Sequence, residues 1–139
     1  PDLTVIEDFG HHPTALDLTL ESLRARYPQH RLVACFEPRS NTAARKVMQD
    51  AFREALKKAD EVFLAPPHRA DKLGEERFDS AGVAAAITAA GRKGFAPASN
   101  DALLAELTGL VKSDKSPRCV VFFSNGAFGG IIKKFAQSI

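Results

Sequence analysis

Residues 7–14 read Glu-Asp-Phe-Gly-His-His-Pro-Thr, and they join a predicted strand to a predicted helix. Apolar Val5 and Ile6 precede them, and leucines follow at positions 16, 20 and 23, the spacing of one helix face. In an open α/β sheet, ligands bind where the carboxyl end of a strand meets the start of a helix. An acid, an aromatic ring, a glycine and two histidines at such a turn therefore indicate a nucleotide site better than core packing.

The rest of the chain alternates short apolar runs with segments of helical period. Strands that alternate with helices of this length indicate βαβ units. We therefore predict an α/β fold, a three-layer α/β/α Rossmann-like domain with a mostly parallel sheet, over residues 1–139. The predicted strands are 3–6, 31–36, 61–64 and 119–123, and the predicted helices are 14–27, 43–59, 80–90, 100–111 and 131–138.

The composition limits the partners of the chain. Its 139 residues include 19 basic and 17 acidic ones, a net charge of +2, so we expect no nucleic-acid partner. No apolar run approaches the roughly 20 residues that span a bilayer, so we expect no membrane partner. Cys35 and Cys119 lie in apolar runs, which favours buried free thiols over a disulfide or a metal site and points to the cytoplasm. The chain begins at Pro1 and its only methionine is Met48. We interpret it as one domain excised from a longer protein.

The first loop, residues 7–14, offers nucleotide-binding groups. Asp8 is suited to accept hydrogen bonds from ribose hydroxyls, or to serve as a turn or helix-cap acid. Phe9 is suited to stack on a base, or to fill the core, while Gly10 permits close backbone approach. His11 and His12 are suited to contact phosphate. Two adjacent histidines without a third ligand do not indicate a zinc site, so we predict that this chain binds no metal.

The second loop, residues 36–42, reads Phe-Glu-Pro-Arg-Ser-Asn-Thr. Pro38 ends the strand pairing, because it has no N–H to donate. The planar guanidinium of Arg39 is then suited to hold a carboxylate or a phosphate. The alternative is a solvated arginine before a helix capped by Ser40, Asn41 or Thr42.

The third loop, residues 123–130, reads Phe-Ser-Asn-Gly-Ala-Phe-Gly-Gly. Its glycines before a helix suggest an anion-binding nest, with polar Ser124 and Asn125 beside an exposed Phe128. It matches neither the P-loop nor the dinucleotide fingerprint, and the alternative is a flexible turn. All three loops follow strands, so we expect them at one edge of the sheet. They contain no nucleophile with a paired base, which indicates a binding and positioning domain.

The three loops, in this order and spacing, resemble the C-terminal domain of the Mur ligases over essentially the whole chain. That resemblance implies an ATP-dependent amide synthesis on UDP-N-acetylmuramate in a three-domain enzyme, with ATP and Mg²⁺ bound mainly by a central domain outside this chain. The second and third loops resemble the branch that adds the tripeptide L-Ala-γ-D-Glu-meso-diaminopimelate in peptidoglycan recycling. The alternatives are the branch that adds L-alanine and a non-catalytic, flavodoxin-like nucleotide-binding module.

The resemblance also implies roles for individual residues. The first loop would bind ATP, and its two histidines would lie near the phosphates or the reacting carbonyl, while the other loops would orient the tripeptide. The isolated domain is expected to be inactive without its N-terminal and central domains. Ala127 stands where glycine is expected, and its methyl group would narrow the peptide pocket. The implied catalytic residues are His11 and His12, the ATP-binding residues are Asp8, Phe9, Gly10 and His11, and the substrate-binding residues are Arg39, Ser40, Asn41, Thr42, Ser124, Asn125 and Phe128.

Overall fold

The computed structural model describes residues 2–10, 12–38, 48–67, 78–124 and 126–139. Within these residues, five parallel strands form one sheet in the order β1-β5-β2-β3-β4. The predicted α/β class with a parallel sheet is confirmed. The strands are β1 (Leu3–Asp8), β2 (Arg31–Phe36), β3 (Glu61–Leu64), β4 (Lys93–Phe95) and β5 (Arg118–Phe123).

The helices follow the predicted periods closely. Helix α1 begins at Pro13, which suits the first helical position because its missing N–H is not needed there. Ser99 caps α4 by accepting the Ala102 N–H at 3.1 Å. The first part of the predicted helix 43–59 lies outside the described residues. The described α-helices are α1 (Pro13–Arg26), α2 (Gln49–Leu56), α3 (Ser80–Ala89), α4 (Asn100–Lys112) and α5 (Ile131–Ser138).

Helices cover both faces of the sheet, as a three-layer fold requires. The first face packs α1, α2 and α3 against alternate strand residues such as Ala34 and Val121. The second face packs α4 and α5 against the residues between them, such as Val33 and Val120. Cys35 and Cys119 are free thiols buried on opposite faces, as predicted. Burial raises the pKa of both thiols, that of Cys119 to about 11.

Strand β4 is the element that sequence patterning missed. It has three residues with Gly94 at its centre, so it carries none of the β-branched alternation that indicates a strand. A side chain at Gly94 would overlap the backbone of Ala84 in α3. Glycine is therefore required there for α3 to pack against the edge of the sheet. Among the described helices, none is long and apolar enough to cross a bilayer.

Candidate functional site

Three of the strands end side by side at the carboxyl edge of the sheet. Asp8 and Phe36 are both register partners of Phe123. Just beyond them, the Ser124 N–H donates to the Asp8 carbonyl at 3.1 Å, and the Glu37 N–H donates to the Phe123 carbonyl at 3.0 Å. The three loops therefore start from one rim, as predicted from the parallel order.

This rim is also where the chain changes direction across the sheet. After β1 the chain enters α1 on the first face, whereas after β5 it enters α5 on the second face. Since β1 and β5 are neighbours, the segments that follow them diverge to opposite faces of the sheet. Such a switch point is the usual ligand site of an open α/β sheet.

The first loop is held by the side chain of Asp8. Its Oδ1 accepts the Gly10 N–H at 2.6 Å, and its Oδ2 accepts the Thr19 hydroxyl at 3.1 Å. A Cβ at Gly10 would lie 2.8 Å from Oδ1, so a larger residue would displace this contact. The Asp8 carboxylate therefore stabilises the turn, which is one of the two roles predicted for it. Each carboxylate oxygen can accept a second hydrogen bond, so the ribose role also remains a prediction.

Phe9 and His12 lie at the surface of the same loop. Phe9 is 65% exposed, so the alternative that it fills the core is wrong. Exposed His12 caps α1, where its Nδ1 accepts the Thr14 N–H at 3.3 Å. His12 therefore stands at a helix N-terminus, a position that favours negative charge nearby. His11 lies outside the described residues.

The second loop begins with a buried carboxyl group that the sequence analysis did not single out. Glu37 is only 6% exposed. Its Oε1 accepts the Ser124 hydroxyl at 2.7 Å, and its Oε2 faces the Asn100 amide nitrogen at 3.4 Å. The predicted residues Arg39, Ser40, Asn41 and Thr42 lie outside the described residues.

A signal for Glu37 was present in the sequence, because it directly follows an apolar strand in an open α/β fold. No comparable signal marked Asn100, which reads as a helix cap and lies 63 positions away along the chain. Its part in the site depends on the tertiary structure.

The third loop turns inward. Phe128 is fully buried against Phe122, with ring centroids 5.7 Å apart and an interplanar angle of 82°. The prediction that it is exposed is wrong, because its φ of 53° directs the ring into the second-face core. Gly129 and Gly130 follow with φ of 62° and 81°, values that favour glycine.

Two other residues of the third loop take ordinary geometry. Buried Ser124 accepts the Gly126 N–H on its hydroxyl at 3.1 Å, so it closes the start of the loop. Ala127 has φ of −89°, a conformation open to any residue, and its methyl group adds no backbone strain where glycine was expected. Asn125 lies outside the described residues.

Two ion pairs among the described residues lie at the opposite, amino edge of the sheet. Burial raises the pKa of Asp60, but the Leu32 N–H and Arg24, 2.9 Å away, lower it below its ordinary value overall. The pKa of Asp114 is about 2, because the Ser116 N–H and then the Arg118 guanidinium bind its carboxylate. These pairs join α1 to β3 and α4 to β5. Both pairs therefore serve to hold elements of the fold together.

Comparison with known proteins identifies similar domains. The family model described as Mur ligase, glutamate ligase domain, matches residues 1–126. The UDP-N-acetylmuramate–L-alanine ligase of Hydrogenovibrio crunogenus is 30% identical over 136 residues, which are 98% of this chain and 29% of that protein. The chain spans 14–29% of the length of curated relatives that it matches.

Two solved structures share the whole fold. A domain assigned to a UDP-N-acetylmuramate:L-alanyl-γ-D-glutamyl-meso-diaminopimelate ligase from Haemophilus ducreyi is 28% identical, with a TM-score of 0.70, over 99% of this chain and 91% of that one. A murein peptide ligase from Psychrobacter arcticus is 27% identical, with a TM-score of 0.75, over 99% of this chain and 27% of that one.

Proposed function

This chain belongs to the Mur ligase family as a C-terminal domain, and from that premise we propose that it serves an ATP-dependent ligase that joins L-Ala-γ-D-Glu-meso-diaminopimelate to UDP-N-acetylmuramate in peptidoglycan recycling. In this proposal, residues 1–139 are the last of three domains in a cytoplasmic enzyme. The observation that carries it is the likeness, over 99% of the chain, to two solved relatives named for peptide ligation. The meeting of the three loops at one rim supports it.

The reaction that we propose forms one amide bond. The muramyl carboxylate is first activated as an acyl phosphate, with the phosphoryl group supplied by ATP. The amine nitrogen of the tripeptide then attacks the carbonyl carbon, the C–O bond to phosphate breaks, and the nitrogen loses one proton. A domain that brings amine and acyl phosphate into register supplies roughly 7–11 kcal/mol toward the barrier. Closure also excludes the water that would hydrolyse the activated carboxyl group.

The first loop fits the nucleotide side of such a cleft. Asp8 retains acceptor capacity for ribose hydroxyls, and the exposed ring of Phe9 offers an apolar wall for adenine. Gly10 leaves room for close approach. His12, at the N-terminus of α1, suits a negatively charged phosphate, and we propose the same role for His11. We assign Mg²⁺ to the central domain and derive no step through it here.

The second and third loops fit the peptide side. Arg39 follows the rigid Pro38 and is the group that we assign to a carboxylate of the tripeptide, because its planar fork binds both oxygens. Its neighbours at positions 40–42, together with Asn125, supply hydroxyl and amide groups for the peptide bonds. Ser124, expected to bind substrate, is buried and donates its hydroxyl proton to Glu37, so we assign it to holding the loop. Since Phe128 is buried, we assign it to holding the loop and not to contacting the substrate.

The test compares amine substrates for the full-length enzyme. We expect amide product, detected by mass spectrometry, with the tripeptide and UDP-N-acetylmuramate, and little with L-alanine. Asp8→Ala should raise KM for ATP more than KM for tripeptide, and Arg39→Ala should do the reverse. Glu106→Gln, on the exposed face of α4, is the control. Interchanged effects of the two substitutions would contradict our division of the loops.

A second candidate is ligation of L-alanine to UDP-N-acetylmuramate. It is favoured by the 30% identity to a ligase of that name across nearly the whole chain. Amide product with L-alanine but not with the tripeptide would establish it in place of our proposal. The alternative of a flavodoxin-like binding module has no support from the relatives named above, each of which is a ligase. In either ligase, the 139-residue chain by itself should hydrolyse no ATP at enzyme-like rates.

A further inference from the structure

We propose that Glu37 is a positioning residue, which joins the loop after β2 to the loop after β5 and thereby sets the shape of the amine-substrate pocket. The inference rests on the proposed function, because that function places the second substrate between these two loops. The α/β fold by itself does not assign Glu37 a role in positioning a substrate.

The position of Glu37 is held through its backbone and its side chain. Its N–H donates to the carbonyl of Phe123, the last residue of β5, at 3.0 Å. Its carboxyl group accepts the Ser124 hydroxyl at 2.7 Å. The two loops are therefore bound to each other twice within one residue of their strands, although Glu37 and Ser124 lie 87 positions apart.

The contact continues from Ser124 into the third loop. The same hydroxyl that donates to Glu37 accepts the Gly126 N–H at 3.1 Å. A serine hydroxyl has one proton, so its donation to Glu37 orients the lone pair that receives Gly126. Loss of the Glu37 acceptor would free the hydroxyl to rotate and would weaken its hydrogen bond with the Gly126 N–H.

A third segment joins the same carboxyl group. Asn100, the first residue of α4, approaches the second oxygen of Glu37 at 3.4 Å. On its other side, Asn100 lies against the third loop, since a Cβ at Gly129 would be 2.6 Å from its amide nitrogen. Glu37 is thus the common neighbour of the second loop, the third loop and the start of α4.

The arrangement indicates a role in positioning rather than in contact with substrate. Glu37 is 6% exposed, so little of it is accessible to a ligand. A buried polar group with several partners specifies one arrangement of its neighbours, and removal of one partner leaves the others unsatisfied.

The experiment is a double-mutant cycle with Glu37→Met and Ser124→Ala in the full-length ligase. Methionine keeps the length of the side chain but removes both acceptor oxygens. We expect each single variant to raise KM for the tripeptide about tenfold, with a smaller change in kcat and changes within about twofold in KM for ATP. The double variant should resemble each single one, because all three lack the same hydrogen bond.

Hydrogen exchange in the 139-residue chain provides a readout that needs no substrate. The Gly126 amide should exchange faster in Glu37→Met than in the wild type, whereas Glu106→Gln should leave it unchanged. If Glu37→Met does not fold, Glu37→Asp tests the same link, because its shorter side chain holds the carboxylate farther from the Ser124 hydroxyl and leaves Ser124 in place.

The outcomes separate this proposal from the proposed function. Unchanged protection of Gly126 in Glu37→Met, equal rises in KM for all substrates, or multiplicative effects in the cycle would overturn the role of Glu37. A wild-type enzyme that does not use the tripeptide would overturn the proposed function instead. The cycle would then be measured with L-alanine, where the same KM selectivity is expected for the amine substrate.

Discussion

The backbone of Phe128 predicts an inverted order of stability for two small substitutions. At its φ of 53°, a residue with a Cβ is strained by roughly 1–2 kcal/mol, whereas glycine is not. Alanine at this position would lose the buried ring and keep the strain, and glycine would lose both. We therefore expect Phe128→Gly to be more stable than Phe128→Ala, the opposite of the usual order.

The magnitude follows from two opposing contributions. Loss of the fully buried ring costs about 3–5 kcal/mol in either variant. Glycine is then relieved of roughly 1–2 kcal/mol of strain, but its freer unfolded chain costs part of that relief. The net advantage expected for glycine is about 1 kcal/mol. Inside a helix, glycine is instead less favourable than alanine by about 1 kcal/mol.

The assay is urea unfolding of the 139-residue chain, followed by circular dichroism. With a slope of about 1–3 kcal/mol per molar urea, the expected difference moves the midpoint by roughly 0.3–1 M. Phe135 is the matched control, because it is also fully buried and lies 5.7 Å from the same Phe122 ring, but within α5. There, Phe135→Ala should be more stable than Phe135→Gly.

The reasoning would be refuted if the glycine variant were less stable than the alanine variant at both residue 128 and residue 135, because the backbone at residue 128 would then not be strained. If the variants at residue 128 lack a cooperative transition in buffer, all four can be compared in a fixed concentration of an osmolyte that favours compact states. The sign of each difference is the quantity that decides.

Three further predictions concern backbone conformation, pH and thiol reactivity. Gly130→Ala and Gly109→Ala both place a methyl group in open space. Gly130→Ala, at φ 81°, should lower the free energy of unfolding by about 1 kcal/mol, whereas Gly109→Ala, inside α4, should raise it by a similar amount. Urea midpoints that move in the same direction for both variants would contradict this prediction. The pKa of Asp114 is lowered from 3.8 to about 2, so the ionised carboxylate stabilises the fold above about pH 4 and this stabilisation is lost as the pH falls toward 2. The melting temperatures of the wild type and Asp114→Asn should therefore converge over that range. A difference in melting temperature that stays constant would contradict this prediction. Cys35 and Cys119 should not react with a thiol reagent at pH 8 until the chain unfolds, because burial raises the pKa of both; rapid labelling of the native chain would show that one of them is accessible.

Most of the fold could be predicted from local patterns. Strands β2 and β3 and helix α5 have the bounds that the apolar runs and helical periods predict. Alternation of strands and helices then requires parallel pairing, and parallel strands bring the loops after them to one edge. Strand β4 could not be predicted in this way, because Gly94 is explained only by the backbone of α3 that packs against it.

The candidate site was predictable to the level of its loops. Residues 7–14 predicted a strand, a turn and a helix, and the structure places Ser124 between Asp8 and Glu37. The side chains were less predictable. Phe9 and Phe128 are both aromatic residues in loops after strands, yet one is exposed and the other is buried, since the difference depends on the φ angle and on the neighbours that each ring meets.

The amino-acid sequence by itself determined what depends on near neighbours along the chain: the helical and strand periods, the start of α1 at Pro13, and the loops after strands. Only the tertiary structure decided that β5 lies between β1 and β2, and this order is what brings Ser124 to Glu37 across 87 positions and Asn100 to Glu37 across 63. The physical reason is range. Local preferences act over a few residues, whereas the burial of a carboxyl group or of a phenylalanine ring is set by whichever distant segments the folded sheet places against it.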